Sequence, residues 1–250
     1  MRFDVLSLFP DTIEQACNFS IIKRALNEHL IEINAVNPRD YTIDKHKKVD
    51  DTPYGGGAGM LLSCQPYLDA LKSVPKSGNV KTIIMSPQGQ CFNQEMAKQF
   101  ALYDQLIIIC GHYEGIDQRF IDECVDEEIS LGDFVLTGGE IAAMAVTDAV
   151  CRMVPGVLAD PECFEDESHY NGLLEYPQYS RPAVWHGREV PPILLSGDHK
   201  KVALWRRKQA LRRTRDRRPD MYEKLDLSSK RDKKLLMEIE TEDLAEQEKI

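Results

Sequence analysis

Gln105 to Asp117 reads QLIIICGHYEGID. A short run of Leu and Ile suits a buried strand, and it passes straight into Gly111, with Gly115 four residues later and a helix expected over Asp117 to Cys124. Glycines at the C-terminal end of a strand let a ligand approach the backbone, and ligands of parallel sheets bind at that edge.

Outward from this run, the chain alternates strand and helix. Strands are expected over Phe3 to Phe9, Leu30 to Val36 and Val80 to Ser86. Helices fall between them: Ile21 to His29 capped by Ser20, Gln65 to Ser73, and Gln94 to Phe100 capped by Asn93. Such alternation implies an α/β fold with a mainly parallel sheet.

Two further loops carry glycine after a strand. Ser86, Pro87, Gln88 and Gly89 form one, and Leu131 to Glu140, with Gly132, Gly138 and Gly139 ahead of an apolar helical stretch at Ile141 to Val154, forms the other. Three such loops on one sheet edge suit either a nucleotide-like ligand or ordinary turns. No G-x-G-x-x-G fingerprint or P-loop occurs, so ordinary dinucleotide and nucleoside-triphosphate sites lose support.

Asn37 to Met60 reads as a long polar loop ending in the glycine run Gly55 to Gly59. Asp160 to Asn171 is acidic and aperiodic and reads as a linker between domains 1–159 and 172–250. Beyond it come Pro-rich extended stretches, a helix over His199 to Thr214 capped by Asp198, and helical turns after Pro219 and Ser228.

With 42% hydrophobic and 29% charged residues among 250, the chain falls in the globular class. No apolar stretch approaches a bilayer span and Met1 to Pro10 has no signal-peptide pattern, so a cytoplasmic protein with no membrane partner is expected. Its seven cysteines contain no C-x-x-C pair, suit neither a disulfide framework nor a zinc site, and read as small buried hydrophobes; no metal cluster is recognisable.

A net charge of −10 argues at first against a nucleic-acid partner. Its distribution argues otherwise, because Lys200 to Arg218 holds ten Lys and Arg against Asp216 alone, while the acids gather in Asp122 to Glu128 and in the tail. A local basic patch on an acidic protein still attracts phosphate.

The strings LSLFPD, VDDTPYGGGAGM, MSPQGQ, CGHYEGID, LGDFVLTGGE, PGVL, GLLEYPQYSRP and VPPILLSGDH, in this order up to about Pro219, resemble the bacterial tRNA (guanine-37-N1)-methyltransferase family. The resemblance implies a SPOUT-class fold: a mainly parallel α/β sheet with a deep C-terminal trefoil knot, then a small helical tRNA-binding domain, working as a homodimer. It implies S-adenosyl-L-methionine as cofactor, held by Ser86, Pro87, Gly111, Glu114, Gly115, Leu131, Gly132, Asp133, Phe134, Val135, Leu136, Gly138 and Gly139. Leu131, Phe134 and Ala58 stand where the family usually has Ile, Tyr and Pro; the first two keep apolar bulk, and Ala58 releases a fixed φ.

Guanine N1 becomes nucleophilic only as its proton leaves, so a general base is required. Counting back from Gly172-Leu173-Leu174, the family's catalytic carboxylate corresponds to Glu167, with Asp166 beside it, and its second catalytic residue to Arg152. His46, Asp50 and the Pro53 to Gly59 loop correspond to positions near the substrate nucleotide. Arg206, Arg207, Lys208, Arg212 and Arg213 are expected to hold phosphates of the tRNA anticodon arm. A Mg2+ requirement follows from the resemblance alone. A non-enzymatic RNA-binding protein and a SPOUT methyltransferase acting on a ribose 2′-hydroxyl are the competing functions.

Overall fold

The computed structural model describes residues 1–158, 164 and 166–247. The chain divides into two compact units, Met1–Asp160 and Pro161–Ile250. Much of the acidic stretch expected to link domains, 160–163 and 165, lies outside the described residues.

The first unit is built on a five-stranded sheet in the order β2-β1-β6-β5-β7, every pairing parallel. Its strands are β1 (Arg2–Leu6), β2 (Glu32–Val36), β5 (Val80–Cys91), β6 (Gln105–Cys110) and β7 (Glu127–Ser130). The QLIIIC run is the middle strand, buried along its whole length. Its side chains alternate between faces, as a pleated strand requires. Leu106, Ile108 and Cys110 join a core with α1 (Pro10–Ala16), α2 (Ser20–Asn27), α4 (Gln94–Phe100) and α6 (Glu140–Cys151). Ile107 and Ile109 pack with α3 (Cys64–Ser73) and α5 (Gln118–Cys124) on the other. Both faces are covered, which is why this strand is apolar throughout rather than alternating.

Asn93 caps α4 as expected, its side chain accepting from the Met96 amide at 3.0 Å. Ser20 does not cap α2: Phe19 holds the N-cap position, and Ser20 is the first helical residue with φ +48°. The expected polar loop at 37–60 contains a 3-10 turn, Pro38–Tyr41, and β3 (Asp50–Asp51), which pairs antiparallel with β4 (Leu61–Leu62). Strand β5 outruns its expected end. Met85 and Gln90 both register with Ile129, so Ser86 to Gly89 bulge out of the ladder.

In the second unit, α7 (His199–Arg217), α8 (Pro219–Tyr222) and α9 (Lys230–Gln247) follow the short strands β8 (Val184–Trp185) and β9 (Arg188–Glu189). A small core of Leu173, Ala210, Leu211, Leu235 and Ile239 joins α7 to α9. Asp198 caps α7, accepting from the Lys201 amide at 3.1 Å.

Candidate active site

The three glycine-bearing loops meet around a cavity of about 500 Å³ in the first unit. That size suits a small organic ligand. The bulge after β5 forms one wall, with the Gln88 amide donating to Ser86 Oγ at 3.2 Å. Gly89 is required there, because a Cβ would stand 2.3 Å from the Glu128 carbonyl carbon.

The second wall is Gly111 to Ile116. The Glu114 amide donates to the Met60 carbonyl at 3.0 Å and the Leu62 amide to the Gly115 carbonyl at 3.0 Å, so the loop is tied to the chain around β4. Gly59 lies against it, the direction of its absent Cβ leading within 2.4 Å of Glu114 Oε1. The third wall runs from Leu131 to Gly139 and folds back to the end of β6, where His112 and Gly138 form an antiparallel bridge. The Gly139 amide donates to the Gly111 carbonyl at 3.0 Å, and a Cβ on Gly139 would meet Cys110 Cα at 2.8 Å. Close backbone approach, not turn geometry alone, keeps these positions glycine.

Of the residues assigned to the cofactor, Gly132 and Asp133 do not line the cavity, and the other eleven do. Gly132 instead shapes the third wall: its amide donates to Ser130 Oγ at 3.1 Å, and its carbonyl accepts from the Phe134 amide at 2.8 Å. Phe134 and Val135 remain 54% and 81% exposed at the cavity, apolar surface left open for a partner or ligand.

Sequence reasoning missed the group that holds two of these walls together. Glu140, the first residue of α6 and 7% exposed, accepts from Ser7 Oγ at 2.6 Å through Oε1 and meets His112 Nε2 at 2.9 Å through Oε2. The Phe9 ring lies 4.9 Å from the His112 ring, and the Phe9 amide donates to Ser7 Oγ at 2.9 Å. The carboxylate thus joins the end of β1 to the second and third loops. A side chain at Gly138 would collide with this pair, its Cβ 2.2 Å from His112 Nε2.

Arg152 occupies the C-cap position of α6, its amide donating to the Asp148 carbonyl at 3.2 Å. In the second unit Glu167 is half-buried, its amide donating to the Phe164 carbonyl at 3.1 Å, and Asp166 is exposed. His46 is exposed, its amide held by Asp44 Oδ1 at 2.7 Å; Asp50 is half-buried in β3.

The cations of α7 are largely engaged inside their own unit. Arg207 pairs with Asp232 at 3.0 Å, Lys208 with Glu242 at 2.7 Å, and Arg212 with Glu242 at 2.6 Å, all acids of α9. Arg213 donates to the Glu175 carbonyl at 3.2 Å, and Arg206 stacks 4.8 Å from the centre of the Tyr176 ring. Among the described residues no group of three or more His, Cys, Asp or Glu is arranged to hold a metal ion, and no helix is long and apolar enough to cross a membrane.

A parallel sheet with glycine-lined loops gathered around a cavity at the C-terminal ends of its strands defines an α/β protein with a small-ligand site at the sheet edge. The family model described as tRNA (Guanine-1)-methyltransferase TrmD matches residues 1–224. The tRNA (guanine-N(1)-)-methyltransferase of Ruminiclostridium cellulolyticum is 56% identical over 227 residues, covering 90% of this chain and 97% of that protein. The proteins of the same name from Clostridium botulinum strain Hall and Clostridium acetobutylicum are 55% and 54% identical, each match covering 94% of this chain and 97% and 96% of those proteins. This chain belongs to the tRNA (guanine-1)-methyltransferase family TrmD.

Proposed function

We propose that this protein methylates N1 of guanine-37 in tRNA, with S-adenosyl-L-methionine as the methyl donor. The observation that carries the reading is the cavity walled by three glycine-bearing loops in a chain of a methyltransferase family. Its residues fit the donor: exposed apolar side chains at Phe134 and Val135 suit a purine face, and backbone drawn close at Gly111, Gly138 and Gly139 suits polar ribose and amino-acid groups. Ser86, Pro87, Glu114, Gly115, Leu131 and Leu136 complete its walls. When bound, the donor supplies an electrophilic sulfonium methyl.

The chain's own residues do the rest. Glu167 takes the proton from guanine N1; its half-buried position favours it over exposed Asp166 as a base sheltered from bulk water. Arg152 stabilises the negative charge that grows on guanine O6 as N1 is deprotonated, with a fork of N–H donors that lysine lacks. His46, Asp50 and Gly59 form the nucleotide side of the site, for which the contact of Gly59 with Glu114 is the support. The second unit carries the anticodon arm, and the protein works as a cytoplasmic homodimer, with Mg2+ acting through the RNA. A trefoil knot is part of the reading. Its support is the path of the chain after edge strand β7, which returns past β5 to bond the end of β6 at Gly111 and His112.

Methyl transfer to a guanine-37 transcript, and none to the same transcript with adenine-37, is the test; nucleoside mass spectrometry must find the methyl on N1. Methyl on a ribose would overturn the assignment, and absence of S-adenosylmethionine binding by calorimetry would leave an RNA-binding protein. Glu167→Ala is expected to lose at least a hundredfold in kcat, the scale of general-base catalysis. Near-normal turnover in that variant with an inactive Asp166→Ala would move the base to Asp166.

A further inference from the structure

One side of the basic helix that the sequence offers to tRNA is already neutralised within its own unit. Arg207, Lys208, Arg212 and Arg215 stand on one side of α7 at i, i+1, i+5 and i+8, and each meets a carboxylate of α9, Arg215 meeting Asp243 at 2.7 Å. The charge of these guanidinium and ammonium groups is already partly neutralised, which weakens their pull on phosphate.

The opposite situation holds at β8 and β9. Every residue from 178 to 189 is exposed. The strands register Val184 with Glu189 and Trp185 with Arg188, closed by His186 and Gly187 at φ +50° and +74°. Two consecutive positive φ values make a tight turn whose twist matches the strands, so the hairpin is stiff at its tip. Trp185 stands 63% exposed with the His186 ring edge-on at 4.3 Å, and Tyr179 is 49% exposed. Among the described residues no carboxylate lies within ion-pair distance of Arg188 or Arg181. The segment leading to the hairpin is fixed on the side of α7 away from the α9 contacts, through Arg213 to the Glu175 carbonyl, Arg206 over Tyr176, and Trp205 6.4 Å from Tyr179.

We propose that this hairpin is the tRNA-docking surface of the second unit, with Trp185 stacking on an unstacked base of a single-stranded loop and Arg188 and Arg181 on flanking phosphates. The proposal rests on tRNA being the substrate. An aromatic ring held outward beside unpaired arginines is the combination that single-stranded RNA rewards, because any base offers a face to stack and its backbone supplies the anion. Free cations, rather than cations already neutralised within the fold, give the electrostatic part of binding.

The test uses the full-length protein and a tRNA transcript in fluorescence anisotropy. Trp185→Ala is expected to weaken binding about tenfold, the scale of one lost base stack. Arg188→Glu is expected to weaken it and flatten the salt dependence by about one unit of slope. Both should bind S-adenosylmethionine as the unsubstituted protein does. In Trp205→Phe, where Trp185 is the remaining tryptophan, tRNA should quench the emission. Binding by Trp185→Ala and Arg188→Glu within twofold of the parent would overturn the proposal. So would loss of affinity that appears only together with dissociation in sedimentation, which would make the hairpin a contact between copies. If the unsubstituted protein binds S-adenosylmethionine but no tRNA, the substrate reading itself fails and the hairpin assignment falls with it.

Discussion

Replacing Glu140 with alanine tests whether one buried carboxylate holds the cavity together. The substitution removes two hydrogen bonds, to Ser7 Oγ at 2.6 Å and His112 Nε2 at 2.9 Å. Each bond to a charged group is worth about 1.5–3 kcal/mol. Two such bonds sum to about 3–6 kcal/mol, and the expected total falls at the low end of that sum. Ser7 Oγ still accepts from the Phe9 amide at 2.9 Å, and the His112 side chain, 19% exposed, reaches water once released. The expected loss is about 3 kcal/mol, which at roughly 2–4 °C per kcal/mol for a protein of this size lowers the melting temperature by about 6–12 °C. Glu140→Gln keeps the shape and one acceptor for Ser7, so about 1 kcal/mol is expected. The same carboxylate ties the second and third loops to β1, so S-adenosylmethionine should bind Glu140→Ala about tenfold more weakly, which corresponds to ~1.4 kcal/mol of lost loop order. Thermal melts and calorimetry read both effects. A variant that melts within about 2 °C of the parent and binds the donor unchanged would refute the role given to this network.

Two further outcomes follow from local chemistry. Asp117 caps α5, accepting from the Arg119 amide at 3.0 Å, and the Arg119 guanidinium on its side chain holds its carboxyl well below the usual carboxylate range. A carboxyl depressed in the folded state stabilises above its unfolded pKa, so Asp117→Ala should cost about 1 kcal/mol at neutral pH. That difference should shrink as pH falls below about 4, measured by denaturant titration across pH. The cysteines should react in order of exposure. Cys91 is exposed, while burial pushes the Cys110 thiol up strongly and that of Cys151 to about 12. Peptide mapping after brief iodoacetamide treatment should find Cys91 alkylated while Cys110 and Cys151 are intact in the native protein.

Much of the sheet was legible because local rules hold: Ile runs of β5 and β6 lead into glycine, and β1 is apolar at Phe3, Val5 and Leu6. The edge strand β7 escaped for the same reason in reverse. Its sequence, Glu127-Glu128-Ile129-Ser130, looks like the end of an acidic stretch, and only Ile129 and Ser130 are buried. Helix α1 opens with Pro10 at its first position, a start signal that its short, mostly exposed length makes easy to pass over. Ser20 carries the side chain of a cap, but φ +48° places it beyond the cap position, and no composition rule foretells that. Of the Ser7, His112 and Glu140 network, no trace exists in sequence spacing. Its members come from the ends of two strands and the start of a helix, 133 and 28 residues apart, and meet only because β1 and β6 are neighbours in the sheet.

The charge pattern shows the limit of reading a partner from composition. Lys200 to Arg218 is strongly basic in a chain of net charge −10, and the inference to phosphate was sound as long as those side chains faced solvent. They do not all face it. Helix α9 follows the residues matched by the family model, and it lays Asp232, Glu238, Glu242 and Asp243 along one side of α7 while Leu235 and Ile239 pack beneath. Acid in the tail and base in the helix before it are thus largely one intramolecular system. Among the cations outside that system, Arg181 and Arg188 lie on the exposed segment that carries the exposed Trp185. A salt titration of tRNA binding distinguishes the two surfaces, because contacts made by cations already paired with α9 release fewer counterions than contacts made by free ones.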